Sequence, residues 1–112
     1  MSREAVNDIC AALPGAECSD PWGGGHHCWK VAGKMFAVTG ALTPTVSVKT
    51  ESAVMAAMLI EAEVGQRAPY LHAGWIALPL EAPRDELEHR ITASYRLIRA
   101  TLPRKVQAAL PD

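Results

Sequence analysis

The stretch that decides the fold is CWKVAGKMFAVTGALTPTVSVK, at residues 28–49. It contains three runs of alternating apolar and polar residues, which is the pattern of half-buried strands. Ala32-Gly33 separates the first two runs, and a glycine in a two-residue loop can take the positive φ that a tight hairpin turn needs. Residues 40–44 form the next turn. The stretch therefore predicts three consecutive antiparallel strands.

Side-chain alternation divides these strands into an inner and an outer face. The first hairpin is expected to place Trp29 opposite Phe36 as an aromatic pair on the core side. Lys30 and Lys49 would project from the opposite face, and Lys34 would sit at the hairpin tip. Any function of this ribbon would then lie on its lysine-bearing side.

Helices are predicted on both sides of the ribbon. An apolar face at helical spacing lies before Pro14-Gly15, and a second helix capped by Ser52 or Thr50 ends at Gly65. The apolar stripe expected of the second helix is Val54, Met55, Met58, Leu59 and Ala62. A third helix begins near Arg84 or Asp85, and the residues expected on its inner face are Leu87, Ile91, Ser94, Tyr95, Ile98 and Leu102.

The remaining elements are short. We expect an edge strand or extended loop at residues 18–22, a loop at residues 66–74, a buried strand at residues 75–78, and a last helix opened by Pro103. This order predicts one α+β domain over residues 1–112, with an antiparallel sheet of about four to five strands covered by helices.

The composition excludes several classes of protein. The chain has 112 residues with twelve acids and eleven bases, so it lacks the strongly basic total of many nucleic-acid binders. No apolar run approaches the roughly 20 residues that span a bilayer, and the N-terminus does not resemble a signal peptide. The odd set of three cysteines is typical of a reducing compartment. We therefore expect a cytoplasmic protein without a membrane partner.

A cluster of potential metal ligands is present at His26, His27 and Cys28, with Cys18 nearby. Adjacent strand residues point to opposite faces, so His27 cannot easily join its two neighbours around one ion. Solvated histidines beside a turn explain the pattern better. We expect no metal ion and no cofactor.

No group of residues predicts catalysis. Cys28 and His26 share a strand face, but no flanking motif supports a nucleophile and base. The glycines at residues 23–25 are not followed by a helix or a Lys-Ser/Thr pair, so they do not form a phosphate loop. The carboxylates lie in surface positions at helix ends. We expect no catalytic residues and a protein that is not an enzyme.

Basic residues alternate with aromatic ones in two places. The residues that could contact nucleic-acid phosphates are Lys30, Lys34, Lys49, Arg67 and His72. The alternative is an ordinary charged strand face, with Trp75 in the core. The residues that could instead form a surface for a protein or ligand are Trp22, Tyr70 and Trp75.

Several short motifs occur in an order that resembles one family, the MmcQ/YjbR-like proteins. They run through nearly the whole chain as LPG at residues 13–15, PWG at 21–23, WKV at 29–31, GKMFA at 33–37, VSVK at 46–49, APYL at 68–71, GWI at 74–76 and SYRL at 94–97. The resemblance implies a compact α+β fold related to frataxin (CyaY)-like and secretion-chaperone-like sandwiches. It also implies a double-wing DNA-binding role, and it brings no catalytic residues.

The loop before Trp75 departs from a common form of this family, which carries several lysines after a Tyr-His pair. Here the loop reads YLHAG at residues 70–74, so Arg67 and His72 are its remaining candidates for phosphate contact. Two functions stay open. One is weak binding of double-stranded DNA through the basic strand face and this loop. The other is docking of a protein or small ligand on the sheet surface and the loop at residues 67–75.

Overall fold

The computed structural model describes residues 3–20, 25–40, 44–68 and 71–110. The helices and strands of this part of the chain are, in order, α1 Arg3–Ala11, β1 Ala16–Ser19, β2 His27–Val31, β3 Lys34–Thr39, β4 Thr45–Lys49, α2 Ala53–Glu61, β5 Gln66–Arg67, β6 Trp75–Pro79, α3 Arg84–Ala100 and α4 Arg104–Ala109. The α+β prediction, with an antiparallel sheet covered by helices, is confirmed.

The strands form one antiparallel sheet in the order β1-β2-β3-β4-β6-β5. The described residues thus contain six strands, slightly more than expected. The additional strand is β5, inside the stretch that was predicted to be a loop at residues 66–74. Two residues cannot show a strand period, and only their pairing with β6 makes them a strand.

Residues that face each other across a ladder share one face of the sheet, and the helices cover the face that carries Val46 and Val48. Helix α1 is attached there by Asn7, whose side-chain oxygen accepts a hydrogen bond from Trp29 Nε1 at 3.0 Å. Helix α3 lies against β3 and β4, and the Tyr95 ring meets the Phe36 ring edge-on at 5.3 Å. We call this the covered face and the other side the open face.

The predicted Trp29–Phe36 cross-strand pair is wrong. Trp29 pairs with Ala37 and Lys30 pairs with Met35, so Phe36 is an extra residue in β3 and forms a β-bulge. The bulge places the Phe36 ring against Tyr95 of helix α3. Both rings are nevertheless buried on the covered face, as the alternation predicted.

The hairpin between β2 and β3 has the predicted two-residue turn. Ala32 has φ of 49° and Gly33 has φ of 83°, and Val31 pairs directly with Lys34. Two successive positive φ values are the signature of a type I′ turn, whose twist matches that of the flanking strands.

Helix α2 is oriented differently from the prediction. Ser52 caps it, since its hydroxyl accepts a hydrogen bond from the Met55 N–H at 3.0 Å. Its buried residue is Ala56, however, whereas Val54 is 71% exposed and Met58 is 59% exposed. The predicted apolar stripe therefore lies largely on the surface.

The end of α2 differs from the prediction, whereas the inner face of α3 agrees with it. After α2, Glu63 takes the left-handed conformation with φ of 62°, so Gly65 does not end the helix. Gly65 is needed for a close approach, because a Cβ there would lie 3.0 Å from the Ala77 carbonyl oxygen. The residues predicted for the inner face of α3 and the turn after it are all buried: Leu87, Ile91, Ser94, Tyr95, Ile98 and Leu102.

Among the helices that the structure describes, none is long and apolar enough to cross a membrane.

Candidate functional site

Lys30 and Lys49 lie on the open face of the sheet. Lys30 pairs with Met35 on one side and Glu17 on the other, and Lys49 pairs with Trp75. One strand separates β2 from β4, so the two lysines stand about 10 Å apart. The exposed carboxylate of Glu17 beside Lys30 reduces the positive potential of this face.

Lys34 belongs to a different surface. It pairs with Val31, which is fully buried on the covered face, so the two residues share that side of the hairpin. From there the Lys34 ammonium reaches the C-terminal end of α3 and donates a hydrogen bond to the Thr101 hydroxyl at 3.3 Å. The structure therefore separates Lys34 from Lys30 and Lys49.

Arg67 and His72 lie at the far edge of the sheet. Arg67 is in β5, three strands from β3 and four from β2, which corresponds to about 14 Å and 19 Å. His72 is exposed, and its Nδ1 accepts a hydrogen bond from the Gly74 N–H at 3.2 Å. These two residues are not part of one continuous basic surface with the β2–β3 hairpin.

The aromatic residues predicted for a partner surface divide in a similar way. Trp75 is 9% exposed, so most of its ring is packed inside the protein. Trp22 and Tyr70 lie outside the described residues.

A basic segment that the sequence reasoning missed passes beside Lys34, which contacts it at Thr101. The chain has no acid between residues 89 and 110, and this segment carries Arg90, Arg96, Arg99, Arg104 and Lys105. Arg104 and Lys105 are exposed at the start of α4. Arg104 follows Thr101 by three residues, so the Cα atoms of the two residues lie at most about 11 Å apart. We call the set Lys34, Arg104 and Lys105 the basic end.

Three internal hydrogen bonds hold the basic end in place. Arg99 donates to the Tyr95 hydroxyl at 2.9 Å and to the Gln107 carbonyl at 3.5 Å, which ties α4 back onto α3. Tyr95 in turn donates to the Pro14 carbonyl at 2.5 Å. The acid-free segment was a visible signal in the sequence, but the near-zero total charge concealed it.

A cleft of about 730 Å³ opens between α2 and α3, above the end of β4. Its apolar lining is formed by Val48, Met55, Leu59, Ala93, Leu97 and Ala100. Charged residues border it, among them Glu51 before α2 and Glu88 and Arg96 on α3. Arg90, which also lines the cleft, forms an ion pair of 3.3 Å with Glu86.

The histidines and cysteines near residue 28 do not converge. His26 Nδ1 lies 3.8 Å from the Asp20 carboxylate, whereas His27 Nδ1 accepts from the Asn7 amide at 3.2 Å on the covered face. Cys28 is 1% exposed, and burial raises the pKa of its thiol. In the described part of the chain, no three His, Cys, Asp or Glu side chains form a group that could hold a metal ion.

Comparison with known proteins gives matches of two kinds. Residues 11–97 match the model of the YjbR family. The structure is similar to the crystal structure of Deinococcus radiodurans protein DR2400, described as a DUF419 domain. The TM-score is 0.85 at 18% sequence identity, over 96% of this chain and 86% of the other, so this likeness concerns the fold. No curated protein matches the sequence.

Proposed function

The chain belongs to the YjbR family, and from this premise we propose that it is a non-enzymatic cytoplasmic protein that binds double-stranded DNA weakly, through phosphate contacts and without reading bases. The observation that carries the proposal is the hydrogen bond from Lys34 to Thr101. It places the cation of the hairpin tip beside a helical segment that has bases and no acids.

The basic end has the charge and exposure that phosphate binding requires. Lys34, Arg104 and Lys105 are exposed, and residues 89–110 contribute no carboxylate that would neutralise them. Contacts of this kind supply affinity that is independent of base sequence and decreases steeply with salt. Because the net charge of the whole chain is −1, we expect binding to be weak and confined to this surface.

The other predicted cations have secondary roles in this proposal. Lys30 and Lys49 would meet a neighbouring phosphate only when the duplex extends over the open face. Arg67 and His72 are too far along the sheet to join the basic end in one short contact. We therefore expect their removal to weaken DNA binding less.

Fluorescence anisotropy with a labelled duplex tests the proposal. The variant Lys34→Ala/Arg104→Ala/Lys105→Ala should bind at least tenfold more weakly at low salt, because three phosphate contacts are lost. The slope of log affinity against log salt should decrease by about 3 in magnitude. Lys30→Ala/Lys49→Ala should show a smaller loss, and Arg67→Ala serves as the matched control for removal of a distant cation.

Two results would contradict this function. One is the absence of binding by the wild type at tens of micromolar protein in low salt. The other is binding that the triple variant leaves unchanged, which would move the interface away from the basic end.

A second candidate function is docking of a protein or small ligand on the open face and the loop at residues 67–75. It is favoured by Met35 and Val38, half-buried apolar side chains on the part of the face that Lys30 and Lys49 flank. A partner held there would be recovered stoichiometrically in a nuclease-treated pull-down. Met35→Ser should release such a partner, whereas Lys34→Ala should retain it.

A further inference from the structure

Helix α2 exposes an apolar surface that the fold does not use. Val54, Met58 and Ile60 are the exposed large apolar residues of the described chain, and all three belong to this one helix. The same helix buries only Ala56 completely. Apolar side chains concentrated on one element, when most others are buried, are typical of a surface that binds a partner.

The adjoining cleft extends this surface inward. Met55 and Leu59 lie one position beyond Val54 and Met58, and they line the α2 wall of the cleft between α2 and α3. The opposite wall contains the small or aliphatic residues Ala93, Leu97 and Ala100. A groove between two helices, lined by flexible methionine and leucine side chains, is the shape that receives an amphipathic helix.

The charges around this surface indicate the chemistry of the occupant. Residues 50–66 contain three acids, Glu51, Glu61 and Glu63, and no base, and all three carboxylates are exposed. On the far wall, Glu88 adds a fourth acid, and Arg90 is occupied by Glu86. The remaining basic groups of the lining are Lys49 at the end of β4 and His89 and Arg96 on the α3 wall, so none of them belongs to α2. The border is therefore acidic along α2.

We propose that α2 and its cleft form a docking groove for a basic amphipathic helix of another protein. Lysine or arginine side chains of that helix would pair with Glu51, Glu61 and Glu63, while its apolar side chains cover Val54 and Met58. Helix α2 has nine residues, or about 14 Å, so the groove accommodates roughly three turns of a partner helix.

The same charges argue against other occupants. A second copy placed symmetrically on α2 would bring the two acidic borders together, and like charges at an interface are unfavourable. A DNA duplex or an anionic membrane surface would be repelled for the same reason. The acids along α2 thus distinguish this side of the groove from the basic end.

A designed peptide tests the groove on the full chain. The probe is a labelled helix of about four turns with leucine at helical spacing and lysine elsewhere, and its control carries glutamate in place of every lysine. The lysine peptide should bind at least tenfold more tightly than the glutamate peptide. Met58→Gln and the double variant Glu51→Gln/Glu61→Gln should each weaken its binding several-fold, whereas Glu81→Gln, an exposed acid outside the groove, should not.

The outcomes separate this proposal from the alternatives. Equal binding of both peptides, or binding that Met58→Gln leaves unchanged, would overturn it. Sedimentation showing a wild-type dimer that Met58→Gln dissociates would assign the surface to a second copy instead. Association with phosphatidylglycerol vesicles that Met58→Gln abolishes would assign it to a membrane. The two proposals can fail independently of each other. The triple variant of the basic end, which should lose DNA binding, should still bind the lysine peptide.

Discussion

Ser94 joins helix α3 to the sheet at the position where the bulge interrupts the ladder. Its hydroxyl accepts a hydrogen bond from the Lys49 N–H at 2.9 Å and donates one to the Phe36 carbonyl at 2.6 Å. The side chain is fully buried. A single hydroxyl therefore satisfies two backbone groups, one on each of the neighbouring strands β3 and β4.

Replacing this hydroxyl should be costly. Ser94→Ala leaves a buried carbonyl and a partly buried N–H without their partner. An unsatisfied buried group costs about 1–3 kcal/mol and a partly buried one less, so we expect a loss of about 2–4 kcal/mol in the free energy of unfolding. Urea denaturation measures it. Thr92→Ala, a half-buried hydroxyl on the same helix that is outside this bridge, is the control. A loss for Ser94→Ala no larger than the control's would show that the bridge does not stabilise the protein.

The three cysteines should differ sharply in reactivity. Cys18 is exposed, whereas Cys10 and Cys28 are buried. Burial raises the pKa of Cys10 to about 12 and also raises that of Cys28. The pKa of Cys18 is raised too, by partial burial and by the Asp20 carboxylate, but its side chain is open to solvent. Thiolates are the reactive form, so in native buffer at mildly alkaline pH iodoacetamide should modify Cys18 first. Cys10 and Cys28 should react only after denaturant is added. Mass spectrometry of wild type and Cys18→Ser distinguishes the sites, and early modification of Cys18→Ser would be inconsistent with the burial.

At the level of elements, the β2–β3 hairpin was the most predictable feature. Alternation and a glycine in a two-residue loop are local signals, and the turn and its first pairs follow from them. The bulge at Phe36 could not be predicted, because it has no glycine to mark it and depends on the contact of that ring with α3. Sequence patterns thus identified the three strands of the ribbon, β2, β3 and β4, and missed one register shift.

The turn itself offers a test of its energetics. Ala32 has positive φ, which costs an L-residue about 1 kcal/mol, whereas asparagine is favoured at this position of a type I′ turn. Ala32→Asn should stabilise the protein by about 0.5–1 kcal/mol and raise its melting temperature by a few degrees. Gly33→Ala should destabilise it through conformation alone, since no described atom lies within 4 Å of a Cβ built there. If calorimetry shows no increase in the melting temperature of Ala32→Asn, the assignment of a type I′ turn would be contradicted.

The orientation of helix α2 could not be predicted from its hydrophobic periodicity. Its sequence AVMAAMLIE is apolar on every side, so no polar face indicates which side turns outward. Its orientation is set by tertiary contacts with β5 and β6. By contrast, α3 alternates charged and apolar residues, and its inner face was predicted correctly.

For the molecule as a whole, the candidate site was harder to predict than the fold. Strand alternation correctly separated Lys30 and Lys49 from the core, but it could not show that Lys34 reaches around to Thr101. That contact depends on where α3 ends relative to the hairpin, which is a property of the packed chain. Net charge was also a poor guide, because a chain of net charge −1 contains a segment with bases and no acids.

The most direct test of the central claim is an amide chemical-shift titration of the labelled protein with a short DNA duplex at low salt. Binding at the basic end predicts that the largest changes occur at Lys34 and at residues 101–106, and that they diminish as salt is added. Changes concentrated instead at Lys49 and residues 67–75, or no changes at all, would contradict the account.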